Sequence, residues 1–152
     1  MPKIQPFLWF DTQAEEAMNF YVAIFPNSKV LNVTRNGDTV FTTEFELDGQ
    51  RITALNGGPY FKFTEAMSFF VDCADQAEVD CYWDALLAGG GQPSQCGWLK
   101  DRFGFSWQVI PRQLHQLMNT PDAAQSKRVH EAMMQMVKLD VAALEAAAAG
   151  QA

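Results

Sequence analysis

From Ile4 to Gly57 the chain reads strand, helix, strand, strand, strand, and from Ala66 to Ile110 the same order returns with shorter strands. Each copy has one apolar sheet face to cover and one helix to cover it with. A duplicated unit of this kind curls into a half-barrel around a ligand. The repeat therefore fixes an α+β architecture before any single residue is considered.

The local signals define the elements. Ile4 to Phe10 has period two with bulky side chains at both parities, which predicts a strand buried on both faces; Pro6 puts it at a sheet edge. Asp11 or Thr12 can cap the next helix, and a Thr12 cap places Glu15 three residues on as a capping box. Ala17, Phe20, Tyr21 and Ile24 form that helix's stripe, and Pro26-Asn27 stop it. Lys29–Arg35 and Val40–Leu47 read as strands about the turn Asn36-Gly37-Asp38, and Asp48-Gly49 leads into a strand over Arg51–Leu55. In the second copy Ala66–Val71 is a strand and Asp75 starts a helix with Val79, Tyr82, Trp83, Leu86 and Leu87 inward. Gly89 to Gly91 end that helix. A short strand near Gln92 follows, and Trp98–Lys100 and Ser106–Ile110 flank a turn at Asp101-Arg102-Phe103-Gly104.

Beyond Pro111 the period is helical. Leu114, Leu117 and Met118 mark one short element. Asp122 caps a longer one carrying Val129, Met133, Met136 and Val137, and Val141–Ala149 is Ala-rich. This stripe must pack on the core or on another subunit. The net charge of −7 disfavours nucleic acid and anionic lipid, and no apolar run reaches the ~20 residues that span a bilayer. Three cysteines without metal-type spacing, and an N-terminus lacking an apolar signal core, predict a cytoplasmic protein with reduced thiols.

Two segments carry a recognisable pattern. One is Pro6-Phe7-Leu8-Trp9-Phe10 with Ala14-Glu15-Glu16-Ala17-Met18-Asn19-Phe20-Tyr21. The other is Asp101-Arg102-Phe103-Gly104-Phe105-Ser106-Trp107-Gln108-Val109-Ile110. Asn56-Gly57-Gly58-Pro59 and Ser68-Phe69-Phe70-Val71 lie between them. Together they resemble the PhnB-like branch of the vicinal-oxygen-chelate (glyoxalase and bleomycin-resistance) superfamily, whose members often carry the label 3-demethylubiquinone 3-methyltransferase. The resemblance implies two βαββ(β) modules, 1–58 and 64–112, forming a curved mixed-sheet cup in a domain over residues 1–112. A helical extension over 113–152 then packs on the core or on a partner. It also implies a homodimer with strand or module exchange. In metal-using relatives four inward side chains ligate a divalent cation. By alternation those positions fall here on Gln5, on Asn56 or its neighbours, on Ala66 with Ser68 next on the same face, and on Gln108. None is His, Asp or Glu, so neither a metal nor any other cofactor is expected.

What remains is binding chemistry. Gln5, Asn56, Ser68 and Gln108 can hydrogen-bond a polar ligand, and Phe7, Trp9, Phe70 and Trp107 can stack on a flat one. The same amides can instead cross-link backbone, and the rings can fill the core. Gln5, Phe7, Trp9, Asn56, Ser68, Trp107 and Gln108 are the candidate ligand contacts; no catalytic residue is assigned. Glu44 and Glu46 share a solvated strand face. Cys73 and Cys81 read as small core fillers, Cys96 as an inert thiol without a neighbouring His or Lys, and His115 and His130 as surface or capping residues. No Gly-x-Gly-x-x-Gly follows a strand, so the methyltransferase label has no S-adenosylmethionine motif behind it. The first reading is a metal-free binder of a small amphipathic or aromatic molecule. The second is a metal- or thiol-dependent enzyme of the same superfamily. A third makes the tail a docking element for another protein.

Overall fold

A computed structural model describes residues 2–151. The chain divides into two compact units, the first ending at Phe63 and the second starting at Thr64. Each contains a four-stranded mixed sheet with a helix on one face.

In the first unit the elements are β1 (Phe7–Phe10), α1 (Ala14–Ile24), β2 (Lys29–Asn36), β3 (Thr39–Leu47) and β4 (Gln50–Asn56), and the strands lie in the order β1-β4-β3-β2. The β1–β4 pair is parallel and the others antiparallel. The turn between β3 and β4 has positive φ at both Asp48 and Gly49, the backbone twist that a tight hairpin needs. Period two divides this sheet cleanly. Leu8, Phe10, Phe45, Leu47, Ile52 and Ala54 are buried together with Ala14, Ala17, Met18 and Tyr21 of α1. The opposite parity carries Phe7, Trp9, Thr42, Glu44, Glu46, Arg51, Thr53 and Leu55. Burial of β1 on both faces does not occur, since Phe7 is 58% exposed. The reason is topological: β1 is an edge strand and a single helix covers only one side.

The expected cap of α1 also differs. Neither Asp11 nor Thr12 caps it; Gln13 holds the N-cap position and makes no side-chain bond there. The Ala14 N–H donates instead to Asn56 Oδ1 at 2.8 Å, so the helix start is satisfied from the end of β4.

The second unit contains β5 (Ser68–Cys73), α2 (Gln76–Leu87), β6 (Gln92–Pro93), β7 (Trp98–Lys100) and β8 (Ser106–Pro111) in the order β5-β8-β7-β6. Asp75 caps α2 by accepting from the Glu78 N–H at 3.0 Å, and Glu78 reaches back to the Ala74 N–H. Val79, Trp83 and Leu86 are the buried stripe. Cys73 is buried, but Cys81 is exposed, because α2 turns that position away from the sheet; it is not a core filler.

Three further helices, α3 (Arg112–Met118), α4 (Ala123–Met134) and α5 (Val141–Ala148), pack on this unit through a cluster of Ile110, Leu114, Val129, Leu139 and Leu144. Helix α4 stops at Met134, short of the apolar positions Met136 and Val137. There the backbone is used differently: the carbonyls of Met136 and Val137 accept from the Cys96 and Gly97 N–H groups at 2.9 and 2.8 Å. Gln76 fastens the start of α5, accepting from Val141 N and donating to the Leu139 carbonyl, and Lys138 bridges to Asp80 at 2.9 Å. Each bond of that pair holds Asp80 below and Lys138 above its ordinary pKa. Among the described residues no helix is long and apolar enough to cross a membrane.

Candidate functional site

Each unit leaves one sheet face without a helix, and most of the candidate residues lie on those faces. On the first unit's open face Trp9 is fixed by three neighbours. Its Nε1–H donates to the Gly58 carbonyl at 2.9 Å, its ring meets Phe61 edge-on at 4.9 Å, and it lies against Gly57, where a Cβ would sit 2.2 Å from Cζ2. Gly57 is therefore a place under the indole that only a residue without a side chain can fill. Gln5, just before β1, accepts from Thr53 Oγ1 at 3.3 Å. Phe7 pairs with Thr53 in the β1–β4 register, so its exposed ring shares the face of Trp9.

Glu44 and Glu46 share one strand face as expected, but it is this candidate face, where both are half-buried and each holds a cation. Glu44 takes Arg51 Nη2 at 2.5 Å, and Glu46 takes Lys29 at 3.9 Å. Arg51 Nε is buried without a hydrogen-bond partner among the described residues. Arg51 escaped the sequence reading, although it shares the parity of Thr53 and Leu55. Asn56 is one residue out of that parity. It pairs with Phe10 on the helix side, and its amide bonds Ala14 and the Val40 carbonyl. Its hydrogen-bonding is structural, so it is left out of the candidate site.

On the second unit's open face Gln108 Nε2 donates to Ser68 Oγ at 2.9 Å, with Phe70, Trp98 and Lys100 at the same parity. Lys100 is engaged by Glu65, whose carboxyl that bond holds below its ordinary pKa. Ser106, paired with Ser68 and Lys100, is 1% exposed, and its Oγ has no partner among the described residues. This residue too was missed, though it lies two positions before Gln108. Trp107 occupies the opposite face. It is 2% exposed, donates Nε1–H to Asp101 Oδ2 at 2.9 Å, and meets Phe69 and Phe105 edge-on. Adjacent strand residues point to opposite faces, so Trp107 and Gln108 do not line one surface.

The donor chemistry does not fit a divalent metal. The open faces carry neutral amides and hydroxyls, Gln5 and Thr53 on the first and Gln108 and Ser68 on the second, and the two carboxylates of the first open face are already paired with cations. Among the described residues no three His, Cys, Asp or Glu side chains cluster. Nor is the buried Cys73 thiol prepared for attack. Burial raises the Cys73 thiol from an ordinary 9.0 to about 12, helped by the charges of Glu78 and Asp72. Cys96 Sγ lies 3.6 Å from Met134 Sδ. His115 and His130 are exposed.

A family profile described as 3-demethylubiquinone-9 3-methyltransferase matches residues 2–110. A PhnB protein of Bacillus cereus described by the same activity is 32% identical; the match covers 72% of this chain and 99% of that one, with a TM-score of 0.68. A protein of Pseudomonas aeruginosa is 20% identical over 73% of this chain and 98% of its own, at a TM-score of 0.64. A fosfomycin resistance protein of Listeria monocytogenes, solved with manganese(II) and sulfate, is 16% identical over 70% of this chain and 88% of its own, at 0.52; at that identity it speaks for the fold alone. No curated protein matches the chain. These matches and the paired four-stranded sheets agree: the chain belongs to the 3-demethylubiquinone-9 3-methyltransferase family, the PhnB-like branch of the vicinal-oxygen-chelate superfamily.

Proposed function

We propose that the protein binds a small amphipathic or aromatic molecule without a metal, through the open sheet faces. The observation that carries this reading is the first unit's open face. It offers a pinned indole (Trp9), an exposed ring (Phe7) and a neutral amide (Gln5), and its only two strand carboxylates are already paired with cations. Rings give a flat ligand area to stack on, while a few placed polar groups orient it. Ser68 and Gln108 offer the same chemistry on the second unit. Methyl transfer has no support in this chain, which lacks the glycine fingerprint of a nucleotide-binding strand–helix turn.

The working form is a cytoplasmic homodimer. Phe7, Phe41 and Phe61 are large exposed apolar side chains of one unit, an unusual load for a surface that stays in water.

The test uses 1-aminoanthracene, a flat uncharged fluorophore, together with metal analysis of the native protein. Saturable emission enhancement that falls about tenfold in affinity in Trp9→Leu, a loss near 1.4 kcal/mol, is expected, with no stoichiometric metal. One zinc, nickel, iron or manganese per chain, or binding indifferent to Trp9, overturns the reading.

A further inference from the structure

The C-terminal helices add something that the family match does not contain. The profile ends at residue 110, and the Bacillus cereus relative is covered over 99% of its length while covering 72% of this chain. Helix α3 follows β8 without a loop, Pro111 being both the last strand residue and the helix N-cap. This places Arg112, His115 and Gln116 along a groove of about 470 Å³ whose other lining includes Phe70, Asp72 and Ile110. That volume falls in the range of small-molecule sites.

The groove has two kinds of wall. Phe70, 59% exposed, and Ile110 and Pro111 make an apolar one. The polar one comes from α3. Arg112 reaches Asp72 through Nε alone, at 3.0 Å. The Nη1/Nη2 fork of Arg112, the His115 ring and the Gln116 amide have no hydrogen-bond partner among the described residues. That fork is the guanidinium edge whose spacing matches the two oxygens of a carboxylate. Three groups with donors to offer face one carboxylate, Asp72, so the balance favours a ligand that accepts hydrogen bonds.

We infer that this groove is a subsite for a small aromatic carboxylate, with the carboxylate on the Arg112 fork beside His115 and Gln116 and the ring against Phe70 and Ile110. The site is confined to the second unit and does not depend on what the first open face takes. Asp72 competes with such a ligand for the guanidinium, which gives the proposal a signed consequence. Removing the Asp72 charge strengthens binding of an anion and weakens binding of an amine.

Phenylacetate is the probe, with phenylacetamide and benzylamine as uncharged and cationic counterparts, titrated into the full chain and followed by the imidazole and guanidinium NMR signals. Phenylacetate should shift His115 and Arg112 while leaving His130 in place, and should bind at least about tenfold more tightly than either counterpart. Arg112→Gln should weaken it about tenfold, and Asp72→Asn should tighten it severalfold. Both variants alter one exposed ion pair, so folding should be preserved. Phe70→Ala provides a further arm, weakening phenylacetate but not acetate. Equal binding of phenylacetamide, tighter binding of benzylamine, weaker binding in Asp72→Asn, or equal shifts at His115 and His130 each overturns the assignment.

Discussion

Replacing Gly57 with alanine tests how the candidate surface is built. Its φ lies outside the left-handed region, so the backbone itself accepts alanine. By chain entropy alone the change should stabilise the protein by ~0.4–1 kcal/mol. The new Cβ, however, would lie 2.2 Å from Trp9 Cζ2 and 2.4 Å from Cε2, against a normal carbon contact of roughly 3.5–4 Å. The indole must retreat by more than an ångström. That breaks its 2.9 Å bond to the Gly58 carbonyl, worth about 1 kcal/mol. It also disturbs the edge contact with Phe61, worth ~0.5–1.5 kcal/mol. The losses exceed the entropic gain, and a net destabilisation of ~1–2 kcal/mol is expected. Denaturant unfolding measures it, and the Trp9 indole N–H resonance reports the broken bond. In a Trp9→Ala background the same substitution should become neutral or stabilising. Gly57→Ala as stable as the parent chain, with the Trp9 resonance unmoved, would refute the reasoning.

Asp101→Ala should cost ~3–5 kcal/mol in chemical unfolding. It removes a carboxylate that is 3% exposed and accepts from Phe103 N, Phe105 N and Trp107 Nε1, leaving buried donors unpaired. With the Cys73 thiol at about 12, stability should fall as pH rises from about 9 toward 12, because the unfolded chain ionises this thiol first and so binds fewer protons than the folded one. Substituting Cys73 with alanine should flatten that part of the profile. Iodoacetamide at pH 8 should modify the exposed Cys81 in the native state and Cys73 only on unfolding, which mass spectrometry of the digested protein reads directly. Ser106→Ala should leave thermal stability unchanged or raise it by ~1 kcal/mol, since it deletes a buried hydroxyl that has no partner among the described residues; a clear loss would mean that the hydroxyl has a structural bond.

The elements legible in the sequence were those whose signals are local. The turn at Asn36-Gly37-Asp38, the caps Asp75 and Asp122, and the α2 stripe all lie within a few residues of what they determine, and the structure places each of them there. The failures involve partners far along the chain. The start of α1 is capped from a position 42 residues away, which no capping box announces. Met136 and Val137 keep helical spacing, yet their carbonyls serve Cys96 and Gly97 some forty positions earlier. Cys81 sits mid-helix, where one step of 100° separates core from solvent. At the site parity decides. Alternation leaves Asn56 or its neighbours open, and the register puts Leu55 rather than Asn56 on the open face; Trp107 and Gln108, both candidates, fall on opposite faces because one step along a strand reverses its face. Arg51 and Ser106 were within reach of the same rule applied strictly from Thr53 and Gln108.

Where the unpartnered polar atoms fall bears on function. Two of the three in the described residues, Arg51 Nε and Ser106 Oγ, lie on strands at open-face parity; the third, Gln113 Oε1, is in α3. The helix-side faces answer their polar groups. Thr43 donates to the Ala54 carbonyl, Asn56 uses both ends of its amide, and Trp107 finds Asp101. A buried polar atom without a partner costs about 1–3 kcal/mol, and a hydrophobic side chain of similar size would remove that cost. Selection for stability alone gives no reason to keep such atoms on the two faces that lack a helix while satisfying the faces that have one. A ligand that supplies an acceptor to Arg51 on the first unit, or a partner to Ser106 on the second, does give a reason on each face taken by itself, and either would be a molecule with polar atoms as well as a flat body. The cost is then repaid only in the bound state, so ligand should raise the unfolding temperature of the parent chain more than that of Ser106→Ala.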